Sequence, residues 1–136
     1  MRTLGTLGLV VALSGTAVAH HSFATYYFEE QSVSIEGVIV EFELKAPHAW
    51  VYVLAPDASG QIQRFAAEWS NPARLSRDGI DKNTLRAGDR VLIVGSPGRV
   101  ASELKVHLKR IERLADGWTW RGRRNSTETP RTPRSR

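Results

Sequence analysis

Between Ser32 and Lys45 the apolar alternation changes phase within a single strand-like segment. Val33, Ile35 and Ile39 fall on odd positions, whereas Val38, Val40, Phe42 and Leu44 fall on even ones, with Gly37 close to the change. Strand side chains alternate between faces, so a switch of parity moves the apolar set across the sheet and requires a bulge or sharp bend. Glycine inside a strand marks such a place. A long first strand bent in this way can serve two sheets, which directs the chain toward a small closed barrel.

The following segments supply the other walls. Residues 49–55 are apolar on both faces (Trp50, Tyr52 and Leu54; Val51 and Val53) and stop at Pro56-Asp57-Ala58-Ser59-Gly60, a strong turn signal. Residues 61–69 read as the hairpin partner, with Phe65, Ala67 and Trp69 on one face. Asn71-Pro72 predicts an N-cap and first helical position, opening a short helix over Pro72 to Arg77 that carries Leu75. After a turn at Ala87-Gly88-Asp89, a fourth strand runs from Arg90 to Val94 and stops at Gly95-Ser96-Pro97-Gly98. A fifth spans about Leu104 to Glu112, with Leu104, Val106 and Leu108 inward and Lys105, His107 and Lys109 outward. Three strands, a short helix and two more strands follow the order of the OB-fold. The predicted class is mainly β: an OB-like five-stranded Greek-key barrel with one short helix between strands 3 and 4.

The chain begins with a secretory signal pattern. Arg2 gives the positive start, residues 4–13 the apolar stretch, and Ala17-Val18-Ala19 an A-x-A cleavage site. The apolar run is too short to span a bilayer, which takes roughly 20 residues. The expected organisation is a cleaved signal peptide over 1–19, an OB-like domain over 20–117, and a basic, Trp/Arg-rich disordered tail over 118–136. The expected location is the periplasm. With no cysteine in the chain, stability must come from packing, and thiol chemistry is excluded. The one methionine is Met1, so a metal site has only imidazole, carboxylate or amine ligands to draw on.

The net charge of +5 is concentrated at one end. Residues 121–136 hold six arginines against Glu128, while residues 20–120 carry twelve Lys/Arg and thirteen Asp/Glu. The body is nearly neutral, and this balance, with export, argues for no nucleic-acid partner. The tail suggests a different contact. Trp118 and Trp120 suit a headgroup layer, and the arginines beside them would be drawn weakly to an anionic membrane. The opposing reading has a solubilising end whose tryptophans cover the open edge of the barrel. Protein partners are not readable from the sequence.

Ala19-His20-His21-Ser22-Phe23, Glu36-Gly37-Val38, Pro47-His48-Ala49-Trp50, Ser70-Asn71-Pro72 and Leu85-Arg86-Ala87-Gly88-Asp89-Arg90-Val91 occur in that order. Together they resemble the small exported bacterial proteins of domain-of-unknown-function family 6152, over about Ala19 to Ile111. Members usually read Asn-Pro-His-x-Trp, whereas this chain has Ala46 in place of the asparagine. The resemblance implies a periplasmic β-rich domain and supplies no activity.

Cleavage after Ala19 would leave His20 first, bringing a free amine and two adjacent imidazoles to a chain end. This set suits copper or zinc, and Cu(II) heads the divalent affinity order for amine and imidazole ligands. His48, at the start of the second strand, is the natural third imidazole if the N-terminal segment folds back. The candidate metal ligands are therefore His20, His21 and His48. Simpler readings stand beside them: a polar mature end for His20 and His21, a turn hydrogen bond for His48. His107, between Lys105 and Lys109, reads as surface. Glu41 and Glu43 read as a solvated strand edge, and Glu68 could reach a rim site. No nucleophile–base pattern, phosphate loop or zincin motif is present, so the expected protein is not an enzyme. A rival function is a metal-free ligand- or partner-binding module using an aromatic barrel face of Trp50, Tyr52, Phe65 and Trp69, residues whose simpler reading is core.

Protein recovered from the periplasmic fraction should have an intact mass beginning at His20. A mass that retains residues 1–19, or a different first residue, would remove the basis for an amine chelate.

Overall fold

The structure is a computed structural model that describes residues 23–122. Strand β1 (Val33–Glu43), β2 (Trp50–Pro56), β3 (Ile62–Glu68), helix α1 (Pro72–Arg77), β4 (Arg90–Pro97), β5 (Lys105–Arg113) and the short β6 (Thr119–Arg121) follow in order. Two single-turn 3-10 segments, Phe23–Thr25 and Ala101–Glu103, precede β1 and β5. Antiparallel pairings join β3 to β2, β2 to β1, β1 to β4 and β4 to β5. A parallel pairing of β3 with β5 closes the circuit. The result is the expected five-stranded OB-like barrel, with its one α-helix between β3 and β4. Among the described residues, no helix is long and apolar enough to cross a membrane.

The parity switch in β1 is a bulge at Val40. Ile39 pairs with Val53 and Glu41 with Tyr52, so Val40 is the extra residue. Ile35 and Ile39 face inward before it and Phe42 after it, while Val38 and Val40 stay on the outer face. Gly37 serves close approach: a Cβ there would lie 2.6 Å from the Leu54 carbonyl oxygen. β1 can thus pair with β4 through its first half and β2 through its second. β5 repeats the device, because Val94 pairs with Arg110 and Gly95 with Leu108, leaving Lys109 unmatched. Leu108 and Ile111 therefore both reach the core.

The core gathers Ile39, Val51, Val53, Ala67, Trp69, Leu75, Leu85, Val91, Ile93, Leu108 and Ile111. Leu75 enters it from α1, whose start is fixed by Asn71 Oδ1 accepting the Arg74 amide at 2.9 Å. This cap and the proline beside it are as the sequence predicts.

The segment after residue 117 departs from the expected tail. Trp118 O accepts the Arg113 amide, β6 pairs with β5, and Trp120 is buried edge-on against Trp69 at 5.0 Å. Its indole N–H donates to Asp78 at 3.0 Å. The domain thus extends at least through Gly122, and Trp120 covers the barrel as the opposing reading of the tail supposed. The signal peptide and residues 123–136 lie outside the described residues.

Trp120→Ala should lower unfolding free energy by about 3–5 kcal/mol, as expected for removing a buried tryptophan. Denaturant unfolding measures it, and a loss below 1 kcal/mol would contradict the packing of β6 as part of the core.

Candidate functional site

The parallel seam between β3 and β5 places Glu68 opposite His107 in register. His48 stands just before β2, after the cis Ala46–Pro47 bond, and Trp50 pairs with Glu68. Three chemically capable residues, distant in sequence, thereby meet at one end of the barrel. A strap from the N-terminal side covers them. Tyr27 bridges to Gly98, Phe28 N donates to Pro97 O, Arg99 N donates to Tyr26 O, and Arg99 Nε donates to Ala24 O.

Under the strap, Tyr27 is fully buried. Its hydroxyl donates to Glu68 Oε2, and Glu68 Oε1 lies 2.6 Å from His48 Nδ1. Burial first, then the Glu68 hydrogen bond, pushes the Tyr27 phenol well above its ordinary pKa, so it stays protonated and donates. A carboxylate can only accept, so the second proton on this chain belongs to His48 Nδ1. The Nε2 of neutral His48 then carries the lone pair. Histidines that bind metals are held in this way, with the far nitrogen donating to a carboxylate.

Phe23 joins this group to a second one. Its ring lies flat on His107, with centroids 3.6 Å apart and planes 10° apart, and tilts against His48 at 5.0 Å. His107 Nδ1 sits 2.8 Å from Glu29 Oε1, and Lys109 also pairs with Glu29. Burial alone would raise the Glu29 carboxyl, but hydrogen bonds from Lys109 and His107 outweigh it and lower the pKa. His107 is lowered by burial, against the opposing Glu29 hydrogen bond.

The expectation that His107 is a surface residue is therefore corrected. It does point away from the barrel core, but the strap packs over that outer face. The aromatic face is corrected as well. Trp69 is fully buried and Phe65 packs on the core, so only Trp50 and Tyr52 remain together on the outer wall, stacked at 6.2 Å. Arg64 lies over Tyr52 and pairs with Glu41. Of the three predicted metal ligands, His48 sits in the site, while His20 and His21 lie outside the described residues. Among the described residues, no three His, Cys, Asp or Glu side chains are grouped to hold an ion. Glu68 does reach the site from its rim. Its partner Tyr27 carried no signal beyond an aromatic cluster, and Phe23 only that and its place in the Ala19–Phe23 motif.

A protein family of unknown function (DUF6152) matches residues 8–106, and the chain belongs to it. No protein of curated function matches. Among solved structures, the chain is similar to a mitochondrial single-stranded DNA binding protein from S. cerevisiae, Rim1. That match has 21% identity and a TM-score of 0.45, covering 62% of this chain and 93% of the other. A small single-stranded DNA-binding protein from Streptomyces coelicolor is also similar. It has 16% identity and a TM-score of 0.38, covering 65% of this chain and 96% of the other. The expectation of no nucleic-acid partner, which rested on a nearly neutral body and on export, is corrected, since proteins of similar fold include single-stranded DNA-binding ones. Binding by such a barrel depends on a local groove and stacking platforms, which net charge does not report. The likeness itself is one of fold, and DNA binding is a property of those proteins.

His107 makes stability depend on pH. Its folded pKa lies below the unfolded value of about 6.5, so between the two the unfolded chain binds more protons. The stabilisation is complete above about pH 6.5 and is lost as pH falls toward the folded value. The urea midpoint should therefore drop between about pH 7.5 and 5.5, and His107→Asn should reduce that drop. An unchanged drop in the variant would show that another group is responsible.

Proposed function

We propose that this member of the DUF6152 family is an exported accessory protein that binds copper or zinc after losing residues 1–19. In this reading the amine and ring of His20, with His21 and His48, hold Cu(II) or Zn(II). The observation that carries it is the Tyr27–Glu68–His48 chain, which ties His48 Nδ1 and leaves Nε2 as the available donor. Glu68 is the outer-shell carboxylate, and Tyr27 holds its second oxygen. The absence of cysteine, and of methionine after processing, favours a divalent ion over Cu(I).

Phe23 adds a second support. It packs on His48 and lies two positions after His21 in the chain, so the described residues begin beside His48. A bound ion would need the N-terminal ligands to complete its shell, since His48 alone is an insufficient site. The ion's role in this reading is that of cargo or structural centre.

One observation favours the metal-free rival. An apolar groove of about 650 Å³ opens between β1, β3 and the segment before β5, lined by Val33, Ile35, Phe65, Val100, Leu104 and Val106. Its volume falls within the range of small-ligand sites, roughly 300–1,000 Å³.

Titration of processed protein with Cu(II), alongside a form carrying one extra N-terminal residue and a Glu68→Gln variant, separates the readings. Blocking the amine should weaken binding sharply, and Glu68→Gln should weaken it by about 10–100-fold. Equal affinity in all three forms would overturn the metal site and leave the metal-free module.

A further inference from the structure

β3 leads into α1 at one end of the barrel, and at the other end, where β2 turns into β3, the apolar groove opens. Ile35, Phe65 and Val106 join the groove to the core, while Val33 and Val100 stand exposed at its lip. Leu104 enters its wall from a left-handed backbone (φ 48°), which leucine rarely adopts.

The groove runs beside main chain that lacks a strand partner. β1 pairs with β4 from Val33 to Val38, but its pairing with β2 starts only at Val38, opposite Leu54. Ile39 N donates to Asp89 O, on the β4 side. Successive residues of an antiparallel strand bond to opposite edges, so Ile35 and Gly37 also bond toward β4. The amides and carbonyls of Ser34 and Glu36 therefore point to the other edge, as those of Val38 do toward Leu54. Extending the register would set Glu36 opposite Pro56, which has no N–H to give. Among the described residues, no strand covers Ser34 and Glu36 on that edge, and both line the groove.

We propose that this groove docks an extended polypeptide segment, which adds as a strand to the free edge of β1 and inserts alternate apolar side chains against Phe65, Leu104 and Val106. An acyl chain could fill the apolar volume but would leave the Ser34 and Glu36 main chain without partners. A peptide strand satisfies both, with hydrogen bonds along the edge and side chains in the groove. Charge narrows the segment further. Of the ionisable residues lining the groove, Glu36 pairs with Arg90 and Lys105 with Glu103. Asp57 has no cationic partner among the described residues. Its carboxylate accepts from Ser59, Gln61 and Gln63, which hold it in the charged form. The favoured segment thus alternates apolar residues with lysine or arginine, whose charge meets Asp57. This docking is independent of the metal reading, because His48 does not line the groove.

Short synthetic peptides test it, with valine at alternate positions and lysine or glutamate between, beside a lysine peptide N-methylated at its backbone amides. Isotope-labelled protein is followed by NMR and amide hydrogen exchange, without metal. In the free protein the Ser34 and Glu36 amides should exchange quickly. The lysine peptide at about ten times its Kd should slow them about tenfold and shift the methyl signals of Val33, Val100 and Val106. The glutamate peptide should bind about 2–5-fold more weakly, as for an exposed ion pair. Asp57→Asn, whose side-chain oxygen can keep the turn, should remove that difference, and the N-methylated peptide should not bind. The docking site is overturned if neither unmethylated peptide slows these amides at about 1 mM, the weak end of affinity, or if the N-methylated peptide binds equally well. It is also overturned if the two amides are already slow without peptide, since a second copy then covers the edge. A medium-chain fatty acid that shifts the same valines where the peptides do not would assign the groove to an acyl chain instead. Equal binding of the lysine and glutamate peptides to wild type would overturn the role of Asp57.

Discussion

Ala66, Ala67 and Glu68 of β3 pair in parallel with Lys105, Val106 and His107 of β5, and these three pairs turn a sheet into a barrel. Without them β3 and β5 would each present a free edge of unpaired amides and carbonyls. Closure depends on a tight approach elsewhere in the circuit. A Cβ on Gly95 would stand 2.5 Å from the His107 carbonyl oxygen, so β4 can sit against β5 at this point only with glycine there. The bulge at Lys109, next in line, bends β5 so that it can follow β4 and still meet β3.

The candidate site is a consequence of that closure. Glu68 and His107 are 39 positions apart in sequence yet lie in register across the seam. Their neighbourhood would be a poor place for exposed strand backbone, and the N-terminal strap covers it with Phe23 and Tyr27. The polar groups enclosed there are paired: Tyr27 and His48 share Glu68, and His107 and Lys109 share Glu29. A half-satisfied group of this kind would be destabilising, whereas a connected one orients its members. That orientation is what distinguishes His48 from a histidine held only by a turn carbonyl.

Fold and function separate in this protein. OB-like barrels host many activities, so the architecture constrains the site's placement and leaves its chemistry to particular residues. Here the chemistry lies at one rim, at the closed seam, while the apolar groove and the Trp50–Tyr52 pair occupy other parts of the wall. The rim is also where the chain arrives from its N-terminal side. His20 and His21 precede the strap directly in the sequence.

Local patterns were sufficient to reveal the strands, the helix cap at Asn71, the shared face of Phe65, Ala67 and Trp69, and the bend in β1, because each depends on residues near one another in the chain. Alternation also showed that His107 points away from the core. It could not show that another segment would bury that outer face, since strand periodicity reports orientation and not what covers it. The exact bulge at Val40 depended on pairing with β2, and β6 depended on a tryptophan finding Trp69 and Asp78 across the barrel. The suspicion that His48 and Glu68 were rim residues was legible from their strand ends. Their mutual hydrogen bond, its completion by Tyr27 and the wedge formed by Phe23 were decided by tertiary structure alone. Those contacts exist only once β3 meets β5, and no local spacing encodes which distant residues a closing sheet will bring together.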